Sequence, residues 1–380
     1  MSNRARACVF LIGLGSAWNA GNVGPIVPQL VDDFDVSLSA VGLLSGSLFC
    51  VGVASAGYGG AALSERLSVI AGLRLCCLVC FAGNALCAMS PVFAGLLFAR
   101  LLSGLGLGLA FLFGGVYARN TGGDKLVGLF GAGIQLGVAF ALALGGIMED
   151  AGVDWRIAFA LSALIGISAL PLLPRRSTAE VPKHEPIGEV FEQAATSSRF
   201  WRLELVAIAS FSVPIVLGAW LVHYLVTEGG LTATVAGLVA FALFGISAFA
   251  RDYGGQLLAR GAGHGVLSLG GLSLAAAGFV VLAIEPSLGG ALVAIVLMGV
   301  GLSLPYAVVY DEGVRVIPES PAGGLGLVQA IANTFPIPVT PLLGAALAAG
   351  NGDAGWIAIG ATVLLGGLLN ARPAVPPAAR

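Results

Sequence analysis

Long apolar runs alternate with short polar breaks along almost the whole chain. A helix needs roughly 20 apolar residues to cross about 30 Å of hydrocarbon. Twelve runs meet that length, at about 7–31, 38–63, 69–89, 92–118, 126–148, 156–174, 203–226, 232–257, 265–284, 288–313, 322–348 and 354–370. One passage breaks the pattern. Residues 175–202 carry Arg175, Arg176, Lys183, Arg199 and Arg202, two prolines and several Glu, with six runs on each side. The pattern predicts an all-α membrane protein, with an N-terminal bundle over 1–174, a cytoplasmic linker over 175–202 and a C-terminal bundle over 203–380. Helices are expected because a lipid-embedded segment must satisfy its own backbone groups.

Composition agrees. The chain is 57% hydrophobic and 10% charged, whereas a soluble domain carries about 25% charged residues, so lipid must cover much of the surface. A net charge of −2 gives no basic footprint for nucleic acid. The 57 glycines suit close-packed membrane helices. An even number of spans puts both termini on one side. With that side cytoplasmic, Arg4, Arg6, Arg66, Arg74, Arg119, Lys125, the linker cations, Arg260, Arg315, Arg372 and Arg380 all face inward. The outer loops then hold one cation, Arg156, among many acids, which is a positive-inside pattern and implies a multi-pass protein of the cytoplasmic (inner) membrane. The apolar run after Arg4 and Arg6 exceeds the h-region of a signal peptide, about 7–15 residues, and is read as a retained first helix. The six cysteines, Cys77 and Cys80 included, lie in apolar runs without a neighbouring His or acid and are read as packing residues.

The halves repeat. Arg66 and Arg260 follow the second and eighth spans, 194 positions apart; Gln135 and Gln329 open the fifth and eleventh at the same offset. Gly104 and Gly106 match Gly299 and Gly301 at an offset of 195. Parallel repeats of this kind build transporters whose site lies at the repeat interface near the midplane.

At these landmarks the chain resembles the major facilitator superfamily over nearly its whole length. Ala61-Ala62-Leu63-Ser64-Glu65-Arg66-Leu67-Ser68 is similar to the family's turn between spans two and three, with two glycines lost and Asp replaced by Glu. Gly255-Gln256-Leu257-Leu258-Ala259-Arg260 is its second copy without the acid. Asp154-Trp155-Arg156-Ile157-Ala158-Phe159 resembles the start of span six, Arg100 to Gly106 the span-four motif, and Pro28-Gln29-Leu30 with Asp33-Phe34 and Ser37 the end of span one. The resemblance implies twelve transmembrane helices in two pseudo-symmetric six-helix bundles, alternating access and a monomer. It makes Glu65, Arg66 and Arg260 gate candidates, with Asp311 and Glu312 as partners for Arg260; a static solvated turn is the alternative. Ala141-Leu142-Ala143-Leu144-Gly145-Gly146 lacks the proline of the drug–proton antiporter motif, and the first half holds no carboxylate within a span. Both points count against that branch.

Ionisable residues at membrane depth are functional candidates. Arg100 lies about 12 Å into the fourth span, at 1.5 Å per residue; proton coupling or solute orientation is one role, helix-to-helix bonding the other. Arg251 lies roughly 9 Å from the inner end of the eighth span. The run Arg251-Asp252-Tyr253-Gly254-Gly255 resembles a stretch of nitrate/nitrite porters in which that Arg binds the anion, but Gly57 stands where the paired arginine would be. A guanidinium fork suits carboxylates and small oxyanions. Asp252 is a candidate for proton coupling or a structural ion pair. Spans one, four, seven and ten line the cavity in the family, so Asn19, Asn22, Trp220, Tyr224 and Tyr306 are carried over as solute-binding candidates. Gln135, Gln329 and Asn333 join them, and Tyr310 lies beside Tyr306; interhelical bonding is the alternative for each. Pro336, Pro338 and Pro341 predict a kink in the eleventh span.

These features predict a secondary active transporter of a small solute, either an organic or inorganic anion or, alternatively, a hydrophobic or amphiphilic export substrate, with protons as a candidate second partner. No phosphate loop of the Walker type is present. The three histidines form no metal-ligand spacing with Cys or acids, and no catalytic cluster supports an enzyme. No cofactor or metal is expected, and a receptor would bring a signalling domain.

Overall fold

The computed structural model describes residues 3–59, 63, 66–175, 187–316 and 321–371. Glu65, Arg176, Lys183, Arg372 and Arg380 lie outside them. Among the described residues, eleven helices are long and apolar enough to cross a membrane: Leu38–Tyr58, Val69–Met89, Phe93–Gly123, Lys125–Asp150, Trp155–Leu172, Ser198–Thr227, Ala233–Ala259, His264–Ile284, Leu288–Gly313, Gly324–Ala348 and Gly352–Asn370. The expected first span precedes them as a broken rod. Helix Asn3–Ala17 passes through two short 3₁₀ turns, Trp18–Ala20 and Gly24–Ile26, into helix Val27–Phe34. Pro25 and Pro28 have no N–H to donate and Gly21 follows the first turn, which is why this span is not continuous. The first span plus the eleven helices make twelve passes, counted from one to twelve below.

The seventh span begins at Ser198, five residues before its expected start at 203. Phe200 is buried there and Trp201 packs edge-on against Phe191 of the linker helix Ile187–Ala195. Apolar contact therefore draws the last turn of the polar passage into the helix.

Three spans carry a wide π-helical turn: Leu43–Ser47 in the second, Ala110–Gly114 in the fourth and Ile208–Ser212 in the seventh. Such turns leave carbonyls free of the normal ladder and often mark functional positions.

The bundles meet tightly toward the end opposite the linker, called the far end. Gly42 and Gly46 of the second span lie against Thr340 and Pro341 of the eleventh, so close that any Cβ there would clash. The Thr340 hydroxyl donates to Gly42 O (2.9 Å), and Ser39 Oγ donates to Pro341 O (3.0 Å). Pro341 cannot donate to Ile337 O one turn earlier; Ser47 Oγ from the opposite bundle donates to that carbonyl instead. A proline defect in one bundle is thus repaired by a hydroxyl of the other. At the far rim, the carboxylate of Asp150, ending the fifth span, accepts the amides of Ala233 (3.0 Å) and Thr234 (2.7 Å) at the start of the eighth. Among the described residues, side-chain hydrogen bonds between the bundles run from mid-molecule to the far end, and none crosses at the linker end.

Candidate functional site

Each bundle holds one arginine anchored to a π-turn, and the two are bonded very differently. Arg100 in the fourth span is 0% exposed. Its Nε donates to Leu44 O (3.2 Å), Nη1 to Asn22 Oδ1 (3.1 Å), and Nη2 to Asn19 O (2.7 Å) and Ser45 O (3.4 Å). Its guanidinium also lies over the Phe49 ring, 4.7 Å from the centroid. Leu44 and Ser45 belong to the π-turn of the second span and Asn19 to the break of the first, so the local defects in both helices expose the carbonyls that hold the cation.

The amides beside Arg100 are spent in the same network. Asn84 Nδ2 donates to Asn19 Oδ1 (2.6 Å), and Asn22 Nδ2 donates to Asn84 Oδ1 and Ser162 Oγ (both 3.1 Å). Asn19 Nδ2 donates back to Ser16 O (3.0 Å), and Trp18 Nε1 to Ser162 Oγ (3.0 Å). The structure therefore brings Asn19, Asn22 and Arg100 together inside the N-terminal bundle, tying spans one, two, three, four and six. Asn84 and Ser162 escaped the sequence reading; the available signal was a lone amide within an apolar run.

In the C-terminal bundle, Arg251 of the eighth span donates from Nη2 to Ser210 O (2.9 Å) in the π-turn of the seventh. Its Nε is buried and has no partner. The guanidinium lies over the Tyr306 ring, 4.1 Å from the centroid. Tyr306 OH bonds Tyr310 OH (3.1 Å), and Gln329 Nε2 donates to Tyr310 OH (3.1 Å). Asn333 Nδ2 donates to Gln329 O (2.7 Å), and Phe211 packs on both tyrosines. The tenth span is broken at Pro305 and the eleventh between Ala332 and Pro336, which lets these side chains converge. Arg251, Tyr306, Gln329 and Asn333 thus form one polar wall with Tyr310, Ser210 and Phe211, and Arg251, Tyr306 and Gln329 in it are only half-buried.

The remaining candidates scatter. Gln135 in the fifth span is 4% exposed, and its Nε2 donor is buried without a partner. Trp220 and Tyr224 are buried toward the far end, where Trp220 Nε1 donates to Thr340 O (3.0 Å) and Tyr224 OH to Leu282 O (3.4 Å). Tyr224 also packs edge-on against Trp356. Asp252 is exposed and accepts from Gln256 Nε2 (2.8 Å); it shares a helix face with Phe249, which is 82% exposed, and Tyr253. The angular separation along a helix takes it away from Arg251.

Arg66 and Arg260 are both exposed at the linker end. The expected pairing of Arg260 with Asp311 and Glu312 is not what forms. Those carboxylates instead take His264, whose Nε2 lies 2.8 Å from Asp311 and Nδ1 2.9 Å from Glu312, together with Arg315 (3.0 Å from Asp311) and Arg199. The reason is positional: Arg260 caps the eighth span, whereas His264 opens the ninth, against the end of the tenth. His264, Asp311 and Glu312 could converge on a cation, but Arg199 and Arg315 already balance the two carboxylates.

A family model described as Major Facilitator Superfamily matches residues 9–335. Polyol transporter 5 of Arabidopsis thaliana is 27% identical over 194 residues, which is 46% of this chain and 35% of that protein, so the match spans about a third of the relative's length. Among solved structures, a D-xylose-proton symporter aligns with a TM-score of 0.76 at 17% identity, covering 97% of this chain and 96% of that one. A bacterial homologue of the human lysosomal transporter Spinster, inward-facing and unoccupied, aligns with a TM-score of 0.75 at 17% identity, covering 98% and 97%. The partially occluded inward-open xylose transporter XylE of E. coli gives 0.74 at 15%, covering 96% and 97%.

Proposed function

The chain belongs to the Major Facilitator Superfamily, and on that premise we propose that this transporter works by secondary active alternating access and moves a small organic anion bearing a carboxylate. The observation that carries this reading is the unpartnered, buried Nε of Arg251, set over the Tyr306 ring beside the Tyr310–Gln329 pair. A buried donor without an acceptor is costly, and a carboxylate oxygen is the acceptor that a guanidinium fits best. Arg100 has no comparable vacancy, because four acceptors already hold it. The unpartnered Nε2 of Gln135 in the opposite bundle offers a second donor to an oxygen-rich solute. The polar lining argues against a purely hydrophobic export substrate.

The positive-inside pattern puts the linker end on the cytoplasmic side of the inner membrane. A monomer suffices for this cycle, since both bundles come from one chain.

A second reading, an uncharged polyol or sugar, is favoured by the polyol transporter and xylose symporter among the similar proteins. Reconstituted protein in sealed liposomes, assayed with radiolabelled gluconate and with sorbitol, separates the two. Gluconate counterflow is expected, and Arg251→Gln should weaken half-saturation roughly ten- to a hundredfold, the equivalent of about 1.5–3 kcal/mol for a hydrogen bond to a charged group. Sorbitol counterflow that Arg251→Gln leaves unchanged would replace the anion reading with the polyol one.

A further inference from the structure

We propose that Glu204 is the proton-binding group of this transporter, a role that rests on the transport reading above and adds the coupling ion to it. Among the described residues Glu204 is the one buried carboxylate: it is 2% exposed, and neither Oε1 nor Oε2 has a hydrogen-bond partner. It sits in the seventh span, two turns in from Ser198, amid buried Phe200, Leu203, Val206 and Ala207. The twelfth span packs on this helix, with Gly366 against the neighbouring Leu205, and spans ten and eleven pack on the same helix.

The charged and titratable groups of the surrounding elements are engaged elsewhere. Arg199 bonds Glu312, and Arg202 Nε donates to Ser198 O. Tyr310 is taken by Tyr306 and Gln329, and Asp311 and Glu312 by His264. Glu192 of the linker helix is exposed, the side chain of Glu189 lies outside the described residues, and Asn370 of the twelfth span donates to Arg202 O. An ionised carboxylate taken from water with no donor around it costs several kcal/mol, whereas a neutral carboxyl forfeits only ordinary hydrogen bonds. The packing seen here therefore admits the –COOH form. Release is the simple step –COOH to –COO⁻ plus H⁺, with the proton passed to water once that turn is wetted.

Position links this proton to the solute. The amide of Ile208 bonds to Glu204 O at the point where the helix enters the π-turn Ile208–Ser212. The middle of that turn supplies the Ser210 carbonyl that holds Arg251. A π-turn carries one surplus residue, and sliding it toward Glu204 would rotate the residues it passes by about 100°. A solute that draws Arg251 off Ser210 thereby acts on the turn that keeps Glu204 dry.

Infrared difference spectra of the wild type and Glu204→Gln, both in liposomes, read the proton directly. The wild type should show a protonated-carboxyl C=O band that shifts in D₂O and is missing from Glu204→Gln; a difference spectrum without that band overturns the proposal. Glu204→Asp, which keeps the acid and shortens the chain, should retain a displaced band and covers the case in which the Gln variant fails to fold. In the gluconate liposomes, Glu204→Gln should keep counterflow and lose accumulation driven by a pH gradient; intact accumulation overturns the proposal. Absence of any flux in the wild type would strike the transport reading alone, because the infrared result does not depend on a solute.

Discussion

Asp150→Ala should loosen the far-end seal without touching the solute wall. The Asp150 carboxylate caps two amides at the N-terminus of the eighth span from across the bundle interface, and those amides have no partner within their own helix. Losing a side-chain N-cap costs about 1 kcal/mol. The side chain is exposed, so water replaces part of each bond and the full strength of a buried charged pair does not apply. A shift of about 1 kcal/mol changes the ratio of far-open to far-closed molecules about fivefold. Asp150→Asn keeps an acceptor and is a good cap residue in its own right, so it should shift the ratio far less. The assay is double electron–electron resonance in nanodiscs, with spin labels at Val92→Cys and Ile284→Cys, two exposed far-end sites in opposite bundles. The long-distance population should rise in the Ala variant and stay near wild type in the Asn variant. Superimposable wild-type and Ala distributions would refute the idea that this carboxylate holds the bundles together.

Two further outcomes follow from the same contacts. Arg100→Met leaves Leu44 O, Asn22 Oδ1 and Asn19 O without their donor and should cost on the order of 3 kcal/mol, seen as a lower melting temperature in detergent, whereas Arg251→Gln should melt near wild type. Ser47→Ala leaves Ile337 O unrepaired and should cost about 1–3 kcal/mol of the far-closed state, measured as faster alkylation of a cysteine placed at Ser39.

The passes and their order were legible because lipid imposes a length and polarity rule on every span. The seventh span's early start was not, since it depends on Phe200 and Trp201 finding partners in three dimensions. Arg100 and Arg251 were both visible as costly residues, but their bonding was not: it is set by π-turns at Leu43–Ser47 and Ile208–Ser212, and no residue type announces a π-turn. The partner of Asp311 and Glu312 was misread for a similar reason. Arg260 looked right by repeat symmetry, yet the loop after it delivers His264 to those carboxylates. Glu204 is visible in the sequence as an acid just inside an apolar run, but the absence of a hydrogen-bond partner for its carboxylate is set by packing around the seventh span.

The contrast between the two arginines assigns different mechanical parts to the halves. Arg100, on the fourth span, binds carbonyls and an amide of the first and second, with Asn84 and Ser162 extending the network to the third and sixth. Every acceptor it would abandon is buried, so the N-terminal bundle resists internal rearrangement and should move as a unit. In the C-terminal bundle, Arg251 donates to one backbone carbonyl, has an empty donor at Nε and lies on the Tyr306 ring, beside tenth and eleventh spans already broken at Pro305 and before Pro336. Little has to be undone there before a solute can be gripped. Solute binding should therefore reorganise spans seven, ten and eleven, and amide hydrogen exchange on adding solute should slow in those segments while spans three, four and six keep their rates. Equal protection in both bundles would mean that the N-terminal network is part of the binding surface after all.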